Sequence, residues 1–241
     1  MYGVLDGKSV KVMSKTPFHT ILLTGETFPP EIVRLLVPCS PTKIVALGVN
    51  YRSHAQEMDS QLPKNPLVFL KPPTAVIGPE DKIVYPPSSK QVDYEGELGV
   101  VIGKKAKGIT QEQAKDYILG YTCLNDVTAR DLQKSDGQWT RAKSFDTFAP
   151  IGPCIETELD DTNTDIETYL NGRLVQKGNT RDLVFGVPEL VSFVSHVMTL
   201  LPGDIIATGT PAGVGPMQPG DTVEIKIGGI GSLRNYIIFQ Q

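Results

Sequence analysis

The chain's 241 residues, 40% hydrophobic and 21% charged, suffice for one large domain or two small ones burying roughly 70–75% of the unfolded surface, which excludes a disordered or fibrous protein. A formal net charge of -4 without a densely basic window argues against a phosphate-backbone partner, so no nucleic acid is expected. The most apolar stretch, residues 187–201, is broken by Pro188, Glu189, Ser192 and His196, so no window approaches the ~18–20 apolar residues that cross a bilayer.

The opening segment MYGVLDGKSVKV alternates polar and apolar side chains and carries no basic-then-apolar leader, so a cytoplasmic location is expected. Residues 1–40 read as a small N-terminal subdomain, with a hairpin around Asp6-Gly7, a proline-rich turn at Phe28-Pro29-Pro30 and a break between Pro38 and Pro41. Residues 41–241 hold no repeat, low-complexity run or Gly/Ser linker, and are expected to form one domain of catalytic size. There, 23 Gly and 19 Pro over the whole chain punctuate short runs of Val, Ile, Tyr and Thr. Strands are expected at 43–49, 66–70, 82–85, 92–102, 117–127, 166–170, 173–176, 204–208 and 222–227. Between the sixth and seventh, Asn171-Gly172 is the pair a two-residue type I′ hairpin requires, because both positions take positive φ. Helical spacing covers 110–116, with Thr110 and Gln113 as a capping box, then 128–134, then 187–200 with Pro188 in the first turn. The fold class expected is β-rich α+β, a mixed β-sandwich or roll with few helices. Cys39, Cys123 and Cys154 are odd in number and widely spaced, which predicts free buried thiols rather than disulfides or a thiolate zinc site.

In a strand, Glu95 and Glu97 share one face, with Cα atoms roughly 6–7 Å apart. If that face is buried the two carboxylates repel and lose solvation unless a cation sits between them; a solvated strand face is the alternative. Asp126, where an apolar strand meets a helix start, is a candidate third ligand or an N-cap for 128–134. Three oxygen ligands without nearby His or Cys suit a hard ion, Mg2+, Mn2+ or Ca2+, and not zinc.

His54 and Glu57 are three apart, so a helical turn stacks them as an acid–base dyad or as an incidental surface pair. His196, inside an apolar helical segment, reads as a packed histidine, and His19 as a surface residue. Lys143, among small and aromatic residues, either faces an anionic intermediate or is merely solvated. The loop from Ala207 to Gly215 offers amides and hydroxyls to a carboxylate, without the Gly-Lys-Ser/Thr ending of a P-loop. G-x-S-x-G, H-E-x-x-H and G-x-G-x-x-G are all missing from the sequence, so serine hydrolase, zinc protease and dinucleotide readings have no local support. Asp161-x-Asn163-x-Asp165 fails as a calcium loop, because Ile166 takes the glycine position.

Five motifs in order resemble the fumarylacetoacetate hydrolase family: Asn50-Tyr51-Arg52-x-His54-x-x-Glu57, Asp93-Tyr94-Glu95-x-Glu97-Leu98, Asn125-Asp126-Val127-Thr128-Ala129-Arg130-Asp131, the run from Lys143 to Gly152, and Thr208-Gly209-Thr210-Pro211-x-Gly213-Val214-Gly215. The likeness runs from Ile44 to Asn235. It implies a β-sandwich-roll fold, usually a homodimer, with Mg2+ or Mn2+ held by Glu95, Glu97 and Asp126. It also implies a lid carrying His54 and Glu57, a lysine at Lys143, and substrate contacts from Tyr51, Arg52, Arg130, Gln133, Gly209 and Thr210. Within the family the chain is most similar to the acylpyruvase and 2-hydroxyhepta-2,4-diene-1,7-dioate isomerase branch. Ser53 stands where many relatives carry Asp, and residues 1–40 fall outside the shared motifs.

The expected chemistry is metal-dependent hydrolysis of a carbon–carbon bond in a 3-acylpyruvate, with pyruvate enolate as leaving group. His54, oriented by Glu57, takes a proton from water, Lys143 stabilises the enolate, and Thr210 with its loop amides grips a carboxylate. Isomerisation of a 2-hydroxydienoate and decarboxylation or tautomerisation of oxaloacetate use the same parts. A metal- or ligand-binding protein without turnover is the alternative of another class, against which the dyad and the lysine argue.

Overall fold

Short runs of Val, Ile and Leu between glycines and prolines become strands: the computed structural model, which describes residues 1–240, holds eighteen strands and four α-helices. The chain divides into two units that part after Leu35. The first is a three-stranded antiparallel sheet, β1 (Tyr2–Leu5), β2 (Val10–Met13) and β3 (Leu23–Phe28). The β1–β2 turn is the one expected at Asp6-Gly7: Gly7 has φ +81°, and Asp6 accepts hydrogen bonds from both the Ser9 amide and hydroxyl.

The second unit opens with β4 (Ile44–Gly48), helix α1 (Arg52–Glu57), β5 (Leu67–Lys71), β6 (Val76–Ile77) and β7 (Lys82–Tyr85). It continues through β8 (Val92–Tyr94), β9 (Gly96–Ile102), β10 (Ile118–Asn125), β11 (Thr128–Ala129), α2 (Arg130–Asp136) and α3 (Thr140–Lys143). The remainder is β12 (Ala149–Glu156), β13 (Asp165–Leu170), β14 (Arg173–Asn179), α4 (Val187–Val197), β15 (Ile205–Ala207), β16 (Gly215–Met217), β17 (Thr222–Ile227) and β18 (Gly231–Phe239).

These strands make a seven-stranded sheet in the order β5-β4-β15-β9-β10-β12-β6, a five-stranded sheet β14-β13-β17-β18-β7, and a small sheet β11-β8-β16. β9 and β10 of the larger sheet pack on β13, β17 and β18 of the five-stranded one. Leu98 and Val100 thereby share one apolar core with Ile166, Ile225 and Leu233. The architecture is the β-rich sandwich roll with few helices that the sequence indicates.

The Asn171-Gly172 hairpin forms as expected, with φ of +51° and +77° and Leu170 paired to Arg173. Residues 110–116 do not form the expected α-helix. The Gln113 side chain accepts from the Thr110 amide, but only a 3-10 turn follows at Ala114–Tyr117. The expected helix at 128–134 starts later, because Thr128 and Ala129 pair with Asp93 and Val92 on β8 instead. The last helix stops at Val197, since Met198 is extended. His196 is exposed rather than packed. The longest strand, β18, was not expected: its inward row includes a polar residue, Asn235, whose amide donates to the carbonyls of Gly78 and Asp81. Cys39 and Cys123 are buried free thiols, and Cys154 is half-buried.

Candidate active site

The expected single strand 92–102 is broken at Glu95. Its amide donates to the Asn125 side chain (3.0 Å) rather than to a backbone carbonyl of a neighbouring strand, and its own carbonyl accepts from the Asp126 amide (2.9 Å). The end of the β9–β10 pair therefore turns Glu95 and Glu97 toward Asp126. Carboxylate oxygens of these three residues lie within 4.8 Å of one another, and all three residues are buried.

Three cations surround this cluster. Lys143, on α3, donates to Glu95 (2.8 Å) and Asp126 (2.6 Å). Arg130, opening α2, reaches Asp93 through Nε (2.8 Å), Gln133 through one terminal nitrogen (2.6 Å) and Glu95 through the other. Lys71, at the end of β5 and without solvent exposure, donates to Asp126 and to the Val127 carbonyl. Glu97 has no ion-pair partner among the described residues and accepts from the Gly209 amide (2.8 Å).

The charges are tuned accordingly. Burial would raise the Glu95 carboxyl, but Lys143 and Arg130 hold it well below the usual range. Burial drives Glu97 up, and the charges on Asp126 and Glu95 push it further. Burial lowers Lys71 despite the Asp126 charge, whereas for Lys143 the carboxylates of Asp126 and Glu95 outweigh burial and raise it. Three converging buried carboxylates, one of them without a cation partner, fit a hard divalent ion with oxygen ligands.

The second group sits on α1. His54 Nδ1 lies 3.1 Å from Glu57 Oε2, and Glu57 Oε1 accepts from the Gly213 amide (2.9 Å). His54 is 7% exposed. The Asn50 side chain anchors the base of α1 to the Thr208 carbonyl and to both backbone groups of Phe185. Tyr51 is fully buried, its hydroxyl unpaired among the described residues, and burial with the nearby Glu97 charge lifts it far above the usual phenol range. Arg52 is exposed on the first turn of α1.

Of the residues singled out in the sequence, Glu95, Glu97, Asp126, Lys143, Arg130 and Gln133 come together directly, with His54 and Glu57 beside them. Gly209 and Thr210 adjoin the cluster, but their donors have protein partners: the Gly209 amide serves Glu97, and the Thr210 hydroxyl donates to the Gly96 carbonyl (3.0 Å). Sequence reasoning missed Lys71 and Asp93. The signal for Lys71 was a lysine closing an apolar run, on the same strand face as Phe69.

Residues 43–238 match the family model described as fumarylacetoacetate (FAA) hydrolase C-terminal, and residues 1–38 match one described as Rv2993c-like, N-terminal. The fold is similar to the 5-carboxymethyl-2-hydroxymuconate delta-isomerase of Mycobacterium smegmatis, with TM-score 0.92 and 44% identity over 99% of this chain and 94% of that one. It is likewise similar to the 2-hydroxyhepta-2,4-diene-1,7-dioate isomerase of Mycobacterium marinum, with TM-score 0.90 and 46% identity over 96% and 88% of the two chains. The mitochondrial oxaloacetate tautomerase Fahd2a of Rattus norvegicus is 41% identical across 87% of this chain and 71% of its own length. With a family match over residues 43–238 and these identities, the chain belongs to the fumarylacetoacetate hydrolase family of enzymes.

Proposed function

We propose that this protein is a divalent-metal-dependent enzyme that moves a proton between carbon and oxygen of a small 2-oxo acid, acting as an enol–keto tautomerase or isomerase. The observation that carries this reading is the His54–Glu57 pair tied through the 209–213 loop to the buried Glu95–Glu97–Asp126 cluster. Mg2+ or Mn2+, with Ca2+ able to take the same oxygen ligands, would be held by those three carboxylates and would supply positive charge to the carboxylate and 2-oxo oxygens of the substrate. Glu57 occupies Nδ1 of His54, which leaves Nε2 as the atom that takes and returns the substrate proton. Lys143 and Arg130 set positive charge around the position where an enolate oxygen develops. His54 is itself almost wholly buried, so the proton passes with little bulk water present.

Hydrolysis of a 3-acylpyruvate would turn the same dyad on a water molecule. Relatives named as isomerases and a tautomerase favour proton transfer over carbon–carbon cleavage. A homodimer is the assembly that the family likeness suggests. The test is turnover with Mg2+ or Mn2+ on enol oxaloacetate, 2-hydroxyhepta-2,4-diene-1,7-dioate and acetylpyruvate, followed by loss of the enol or dienol ultraviolet absorbance together with product mass. A product of unchanged mass from either of the first two is expected. Pyruvate released from acetylpyruvate as the dominant reaction would make the enzyme a hydrolase, and no turnover on any of the three would end the proposal.

A further inference from the structure

Gln176 lies on β14, in the five-stranded sheet, yet most of its hydrogen bonds go to segments that carry the candidate site. Its Oε1 accepts from the Gly96 amide (3.0 Å) and the Thr168 hydroxyl (2.8 Å), and its Nε2 donates to Thr210 Oγ1 and the Pro211 carbonyl (2.9 Å each). An amide side chain has two donors and two acceptor positions, so Gln176, 1% exposed, is saturated. Both backbone groups of Gly96, the residue between the two glutamates, are thereby fixed: its amide by Gln176, its carbonyl by Thr210.

The approach of the segments leaves no slack. A Cβ at Gly96 would stand 2.3 Å from Thr168 Oγ1, and one at Gly178 would stand 2.5 Å from Pro211 Cβ. Gly213, at φ +101°, would place a Cβ 2.4 Å from the Val175 carbonyl oxygen. The loop pressed onto β14 in this way gives its Gly209 amide to Glu97 and its Gly213 amide to Glu57. One end of the loop therefore touches the acidic cluster and the other the histidine's partner, with Gln176 holding the middle.

We propose that Gln176 is a positioning residue: from the opposite sheet it sets the Glu95–Gly96–Glu97 turn and the 209–213 loop as one unit, and so fixes both the cation-binding carboxylates and the His54–Glu57 pair. This rests on the reading of the cluster as a metal centre. Buried groups that orient metal ligands are worth about 10–100-fold in metal affinity.

The test uses the full chain, with Gln176→Met removing the hydrogen bonds at similar length and Thr168→Val removing one of them. Val223→Ala, a core change in the same sheet, serves as a control for general destabilisation. Mn2+ affinity is read by calorimetry and the Gly209 and Gly213 amides by hydrogen exchange. Gln176→Met is expected to weaken Mn2+ binding about tenfold and to speed exchange at both amides, Thr168→Val to do so to a smaller extent, and Val223→Ala to change neither. Wild-type affinity and exchange in Gln176→Met, or equal losses in Val223→Ala, would overturn the proposal. If Gln176→Met does not fold, unchanged values in Thr168→Val overturn it. If the wild-type chain binds no Mn2+, the metal-centre reading falls, and the exchange rates alone decide the role of Gln176.

Discussion

Lys71 and Lys143 divide Asp126 between them, Lys71 binding Oδ1 and Lys143 binding Oδ2. Removing one partner of a buried ion pair strands the other in a medium that solvates it poorly. Lys143 still holds Oδ2 when Lys71 is lost, so Lys71→Met, which leaves Oδ1 unsatisfied, is expected to destabilise the fold by about 1–3 kcal/mol in chemical denaturation. Lys71→Arg should not restore it, because the planar guanidinium does not fit a fully enclosed ammonium site.

His54→Ala is expected to lower kcat by roughly 10²–10⁴-fold while leaving Mn2+ affinity unchanged, since the role proposed for the ring is proton transfer and it is not among the three carboxylates. Steady-state kinetics paired with calorimetry separate the two. Parallel losses would make His54 a structural support.

Glu97 is buried beside Asp126 and Glu95, and that company raises its carboxyl well above the ordinary range. Glu97→Gln removes the repulsion together with a proposed ligand. The metal-free variant is therefore expected to unfold at a higher temperature than wild type while its Mn2+ binding collapses, a pairing that differential scanning calorimetry with and without the ion would reveal.

Asp131 follows Arg130 on α2 and has a pH dependence of its own. Burial would raise its carboxyl, but the Ser89 hydroxyl (2.7 Å) and the Lys90 amide (2.9 Å) donate to it and hold it below the ordinary value of 3.8. A carboxyl depressed in the folded state adds stability above its unfolded pKa and loses it as pH falls through the folded value. Asp131→Asn should cost about 1 kcal/mol at pH 7, and the gap to wild type should close as unfolding is followed down below pH 3.8.

The sandwich architecture was legible because alternation and turn chemistry are local, as at Asn171-Gly172, where two residues settle the register of β13 and β14. Glu95, Glu97 and Asp126 were legible as candidates because carboxylates in apolar strands demand an explanation. What escaped was set by distant partners. Thr128 looks helical until β8 offers it a strand neighbour, and Asn235 looks like a surface residue until Gly78 and Asp81 supply carbonyls. Lys71 carries no motif: only the arrival of Asp126, 55 positions later, makes its burial sensible. Gly96 did hold a readable hint, since a glycine inside a strand often marks a close neighbour, here Thr168.

Glu57 receives its amide hydrogen bond from Gly213, 156 positions further along the chain, and Ser53 receives one from Ala212, 159 positions on. At a synthesis rate of roughly 5–20 residues per second, α1 emerges about 8–30 s before its anchor exists. A nascent or prematurely terminated polypeptide that stops short of Gly213 lacks the amide that holds Glu57, so the His54–Glu57 pair stays untethered until translation of this loop is complete.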